Sequence, residues 1–143
     1  MSTAANQATV DLRTTLNNLR SLAMQCGIPA VVARKLGVNL NSAGDTAIPF
    51  EMPRPLILTS VLIANSSGAM TTFAAQIWTA AGGTGISLST INRPTAAGQS
   101  RAQNASNYAN ITDSQVYCNV ATPEGSAATV DIYLFGYYTP ASL

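Results

Sequence analysis

The chain has 143 residues, no histidine, and only 9% Asp, Glu, Lys and Arg, where a typical soluble domain carries about 25%. A folded monomer of this size exposes roughly 7,000 Å², so seven basic and six acidic residues cover it thinly and leave Ser, Thr, Asn and Gln as the polar surface. This composition excludes histidine-based catalysis and metal binding, and a net charge of +1 excludes a global field for nucleic acid or membrane.

The N-terminal part reads as helical. Leu12, Leu16, Leu19, Ala23 and Cys26 recur at alternating steps of four and three, which is one apolar stripe of a helix from about Asn6 to Gln25. Gly27 is its expected stop. Pro29 suits a first helical turn, so Ala30 to Leu36 is predicted to be a short second helix closed by Gly37. This segment is basic, with Arg13, Arg20, Arg34 and Lys35 against Asp11, whereas the remainder is net acidic. The start, Met1 to Gln7, lacks the basic and apolar regions of a signal peptide. No apolar run approaches the roughly 18 residues that span a bilayer. The expectation is synthesis in the cytoplasm, no membrane partner, and a chain that stays soluble or assembles there.

Beyond Asn41 the texture changes to strands and turns. Asp45 to Met52 reads as a strand with Pro49, Pro53 and Pro55 marking an edge or bend. Leu56 to Ala64 is the strongest strand, apolar both at Leu56, Leu58 and Leu62 and at Ile57, Val61 and Ile63. Two apolar faces predict cover on both sides, from helices or a neighbouring subunit. Thr71 to Ala80 and Ile86 to Ile91 follow, joined by a turn at Ala81 to Gly85. Residues 92–106 are polar, punctuated by Gly and Pro, and read as a long surface loop. Tyr108 to Thr112 is a candidate short strand. Gln115 to Ala121 alternates Val116, Cys118 and Val120 with Gln115, Tyr117 and Asn119. Ala128 to Tyr138 alternates Val130, Ile132 and Leu134 with Asp131, Tyr133, Phe135 and Tyr137. Regularly spaced short strands predict a mainly β protein: an antiparallel β-sandwich, jelly-roll-like, preceded by a short N-terminal helical arm. The boundary is placed at residue 37, with an arm at 1–37 and a sandwich at 38–143.

Little in the chain points to chemistry. Cys26 and Cys118 are too far apart in sequence for a zinc signature, and they read as buried thiols; sequence does not say whether they meet. The six carboxylates are scattered and read as surface groups. Gly82-Gly83-Thr84-Gly85 lacks the Lys of a phosphate loop and lies between strands, so it reads as a hairpin turn. Residues 23–36 have the outline of a helix-turn-helix. The short second helix offers only Arg34 and Lys35, too little to read bases. The row Tyr133, Phe135, Tyr137 and Tyr138 reads as a surface for another layer or subunit. No catalytic residue, cofactor site or metal site is assigned, and the chain is not expected to be an enzyme.

Several segments taken together carry a resemblance: Gly44-Asp45-Thr46-Ala47-Ile48-Pro49, then Ala64-Asn65-Ser66-Ser67, then Ile77-Trp78-Thr79-Ala80-Ala81-Gly82-Gly83-Thr84. The strand from Ala127 to Gly136 and the Leu/Asn-rich helix ahead of Gly27-Ile28-Pro29 complete it. In these segments the chain resembles small virion structural proteins of tailed bacteriophages. The resemblance implies a β-sandwich on the particle exterior, present in many copies and often oligomeric, with no catalytic residues to carry over.

The expected function is that of a capsid decoration or head-fibre protein that binds the assembled particle and stabilises it. Its partners would be copies of itself, with a trimer favoured, and the major capsid protein or other virion proteins. Candidate assembly residues are Leu12, Leu16 and Leu19 on the arm, Ile57, Val61 and Ile63 on the apolar strand, and Tyr133, Phe135 and Tyr137 on the last strand. The alternatives are a receptor- or carbohydrate-binding tail module using loop 92–106 and, further off, a small DNA-binding protein using residues 23–36.

Overall fold

The computed structural model describes residues 14–16, 18–19 and 30–139. Eight strands follow in order: β1 (Ala30–Asn39), β2 (Gly44–Pro49), β3 (Leu56–Ala64), β4 (Ala74–Ala80), β5 (Thr84–Thr90), β6 (Arg101–Asn104), β7 (Gln115–Thr122) and β8 (Thr129–Tyr138). They form two four-stranded antiparallel sheets, sheet A in the order β1-β8-β3-β6 and sheet B in the order β2-β7-β4-β5. The pairings nest: β1 with β8, β2 with β7, β3 with β6, β4 with β5. The chain is therefore one long hairpin rolled into a sandwich, which is jelly-roll connectivity.

Period-two alternation explains the roll. Val130, Ile132 and Leu134 of β8 face Val116, Cys118 and Val120 of β7 across the interior, and all six are buried. Phe73, Ile48, Ile77 and Leu88 fill the space between them. Each such side chain contributes about 1.5–3 kcal/mol when fully buried. Gly136 continues the inward row of β8 because β3 passes too close for any side chain. A Cβ there would collide with the Ile57 carbonyl.

β3 departs from the expected two-sided strand. Its register against β8 slips between Leu58 and Ser60, so Thr59 is an extra residue. A bulge of this kind reverses the facing of everything beyond it. Leu56 and Leu58 before the bulge and Val61 and Ile63 after it all point inward. Val61 and Ile63 are 1% and 2% exposed, so they belong to the core and offer no assembly surface. Only Ile57 and Leu62 remain on the outer face, both half-buried.

The expected second helix at Ala30–Leu36 is strand β1. Two register slips against β8, at Val31/Ala33 and Lys35/Val38, explain why it did not read as one. They bury the adjacent pair Val32 and Ala33, then nothing until Val38, so no alternation is visible. Gly37, with φ near +64°, forms the second bulge, and its N–H donates to Asp131 Oδ1 at 2.8 Å. Among the described residues the sandwich thus includes Ala30 onward, and the expected boundary at residue 37 falls inside a strand. A helix-turn-helix over residues 23–36 is also excluded, because its second helix does not exist.

Other differences are smaller. Loop 92–106 contains the short edge strand β6. Tyr108 to Thr112 is not a strand; Ile111 alone forms a bridge, to Leu56. The described residues 14–16 and 18–19 are helical, and Leu16 and Leu19 are 54% and 58% exposed. Leu12, Ala23 and Cys26 lie outside the described residues.

Candidate functional site

The two sheets turn very different faces outward. On sheet A the outer residues of β8 are Tyr133, Phe135 and Tyr137, all half-buried. Their register partners continue the surface: Leu62 beside Tyr133, Val31 beside Phe135, Ile57 beside Tyr137. The result is an apolar and aromatic patch across β1, β8 and β3. Ser60 also lies beside Phe135, and the charged groups next to these rings are Arg34, the β1 partner of Tyr133, and Asp131; both are engaged. Arg34 pairs with Glu51 at 3.2 Å. Asp131 accepts from Asn65 Nδ2 at 2.7 Å and from the Gly37 N–H, which together hold its carboxyl below the usual range. Ile57, Tyr133, Phe135 and Tyr137 are therefore brought together as one surface. Among the described residues no further layer packs on this face.

Sheet B presents amides, hydroxyls and two aromatic rings. One row runs Asp45, Asn119, Gln76, Thr90 across its four strands, and the next runs Ala47, Tyr117, Trp78, Ser87. The polar groups are ordered by one another. Asn119 Nδ2 donates to Asp45 Oδ1 at 2.9 Å, Asp45 Oδ2 accepts the Gly82 N–H at 2.7 Å, and Ser87 Oγ donates to Gln76 Oε1 at 2.9 Å. Several clefts border this sheet, and two of them adjoin at the start of β4. One, of about 420 Å³, runs from β4 to Asn92, Arg93 and Arg101; the other, of about 320 Å³, runs from β4 to Trp78, Gly82 and Asn119.

No match to known proteins adds to this geometry: no family model, curated protein or solved structure matches the chain.

Beside the larger cleft lies a clamp that the sequence did not announce. Glu124 is only 7% exposed. Its carboxylate accepts the N–H groups of Thr71, Thr72 and Phe73 at 2.9–3.2 Å. Those bonds, Thr72 and Phe73 foremost, and the nearby Arg93 charge hold its carboxyl below the usual range against the opposing effect of desolvation. Arg93 grips the same peptides from the carbonyl side, with Nε donating to Phe73 O at 2.7 Å and Nη2 to Thr72 O at 3.3 Å. The segment entering β4 is thus bracketed by opposite charges through its own backbone. In sequence, Glu124 sits in a Pro-Glu-Gly-Ser turn and looks like any surface carboxylate. Only the fold brings it to residues some fifty positions earlier.

Cys118 lies in the core as a free thiol, and burial, with Asp45 nearby, pushes its pKa up to about 12. Such a thiol is a packing group rather than a nucleophile. Among the described residues no group of three His, Cys, Asp or Glu is placed to hold a metal ion, and no helix is long and apolar enough to cross a membrane.

Proposed function

We propose that this chain is a bacteriophage virion structural protein that decorates the assembled capsid and stabilises it, with the outer face of sheet A as its contact surface. The observation that carries this reading is the largely apolar patch Val31, Ile57, Leu62, Tyr133, Phe135 and Tyr137, with Arg34 and Ser60 beside it, on a chain otherwise so poor in charge. Contiguous exposed apolar surface marks an interaction site, and buried aromatic anchors dominate interface energies. Copies of the chain, in a trimer or another closed ring, and the major capsid protein are the partners this surface would meet. Leu16 and Leu19 offer a second apolar stripe for the same contacts. Jelly rolls recur in viral coats, although architecture alone assigns no function.

The mechanism is linkage. A protein that binds the closed shell and not its dissociated parts favours the shell, and many weak contacts add over many sites. Particles lacking the chain are expected to assemble and then rupture at lower temperature or on dilution of salt. Adding back the purified chain should restore robustness. Particles of unchanged robustness that fail to adsorb to host cells would overturn this reading.

A further inference from the structure

We propose that the clefts along β4 and at the β5 edge of sheet B form a groove for an acidic saccharide, with Trp78 against a sugar ring and Arg93 and Arg101 on its carboxylate. The inference is independent of the role given to sheet A.

The two clefts share Ala74, Ala75 and Gln76, so they adjoin there, and a ligand crossing Gln76 would span both as one groove. Its two ends differ in chemistry. Trp78, half-buried, lines one end beside Asn119 and the glycine turn. A half-buried indole that lines a cleft suits the apolar face of a pyranose ring, as aromatic rings combine large contact area with a fixed shape. In the middle, Gln76 Oε1 is occupied by Ser87 Oγ, which leaves Nε2 to donate. Asn119 Nδ2 is occupied by Asp45, which leaves Oδ1 to accept. One ordered donor and one ordered acceptor on neighbouring strands match the hydroxyls of a sugar, each of which both donates and accepts.

The far end is cationic. Arg93 is fixed by its two bonds to the Thr72 and Phe73 carbonyls, and its Nη1 has no protein partner among the described residues. Arg101 lies opposite Ile63 on β6, the edge strand of sheet A, and lines the larger cleft from across the edge between the two sheets. It is half-buried, and the one ion pair among the described residues, Arg34 with Glu51, does not involve it. A guanidinium partly withdrawn from water without an acid is a site for an incoming anion, and its planar fork matches a carboxylate. A charge on an edge strand also guards against edge pairing. That role alone needs neither Trp78 nor the ordered amides.

Trp78 is the chain's single tryptophan, so its fluorescence reports on the groove. The full-length protein is titrated with trigalacturonate, with a neutral trisaccharide, with tricarballylate and with a hexaglutamate peptide. The expected result is saturable quenching or enhancement by trigalacturonate, and binding at least about tenfold weaker for the other three. Arg101→Ala should weaken trigalacturonate binding by about tenfold or more, and Arg101→Lys should fall between it and the parent because it keeps charge but not the fork. Gln76→Ala should weaken binding by a smaller factor. All three variants should keep the β-type circular dichroism and the parent's attachment to particles. The proposal is overturned if trigalacturonate does not bind below about 10 mM, or if tricarballylate or hexaglutamate binds equally well with the same dependence on Arg101. It is also overturned if Arg101→Ala changes only self-association, which would leave Arg101 as an edge guard.

Discussion

The outer faces of sheets A and B are made by the same rule and reach opposite ends. Each belongs to four antiparallel strands, and each is the complement of a buried row on a central strand. On β8 the outward set is Asp131, Tyr133, Phe135 and Tyr137; on β7 it is Gln115, Tyr117, Asn119 and Ala121. The inward rows are interchangeable in kind, all apolar. Folding is therefore indifferent to the outward residues, within the modest cost of their cross-strand pairs. What each surface recognises is written only there. The account assigns protein contact to the apolar face and ligand contact to the polar one.

The largest expected effect comes from charging one face and not the other. Tyr133→Asp with Phe135→Asp should abolish attachment and self-association, a loss of at least about 100-fold if each residue is an interface anchor of about 2 kcal/mol. Gln76→Asp with Tyr117→Asp on sheet B should leave both unchanged. Cosedimentation with particles and analytical ultracentrifugation read the contrast.

Gly136→Ala sharpens it from the inside. The added methyl meets the Ile57 backbone, so β3 and β8 must separate. Overpacking of this kind costs about 1–3 kcal/mol, and thermal or urea unfolding measures it. Attachment should weaken as well, because β3 and β8 carry the patch, while the sheet B groove stays intact.

Acid should loosen both sheets, and unequally. Glu124 and Asp131 both have folded carboxyl pKa values below their ordinary ones. A lowered folded value means the unfolded chain takes up protons first as pH falls. The stability these groups add is thus fully present above the ordinary carboxylate range of about 4. It is lost as pH drops from there through the folded values. The melting temperature should fall below about pH 4. Glu124→Gln should flatten that fall more than Asp131→Asn, since three backbone N–H groups depend on Glu124 and one on Asp131.

The smallest effect concerns Cys118. With its thiol pushed up to about 12, iodoacetamide at neutral pH should leave the peptide containing Cys118 unlabelled in the native protein. Unfolding in urea should expose it to complete labelling, followed by mass spectrometry.

Where alternation was regular, the sequence was transparent. Val116, Cys118 and Val120 on β7 and Val130, Ile132 and Leu134 on β8 are legible as core, and Tyr133, Phe135 and Tyr137 as the opposite face. Bulges hid the rest. The extra residue Thr59 turned a one-sided strand into an apparently two-sided one and moved Val61 and Ile63 from a supposed surface into the core. Two irregularities in β1 erased its period and left Val31, Val32 and Ala33 looking helical. Arg101, Glu124 and Arg93 were illegible for a different reason. Glu124 and Arg93 act on peptides about fifty and about twenty positions away, Arg101 is placed by its pairing with Ile63, and nothing in their immediate neighbours marks them. The jelly roll creates those meetings by bringing nested strands together from the two ends of the chain.

Hydroxyl-radical footprinting of the full-length chain, free and bound to particles, compares the two faces in one experiment. The account predicts that Tyr133, Phe135 and Tyr137 become protected on binding while Trp78 and Tyr117 keep their reactivity. Protection of Trp78 and Tyr117 with Tyr133, Phe135 and Tyr137 unchanged would contradict it.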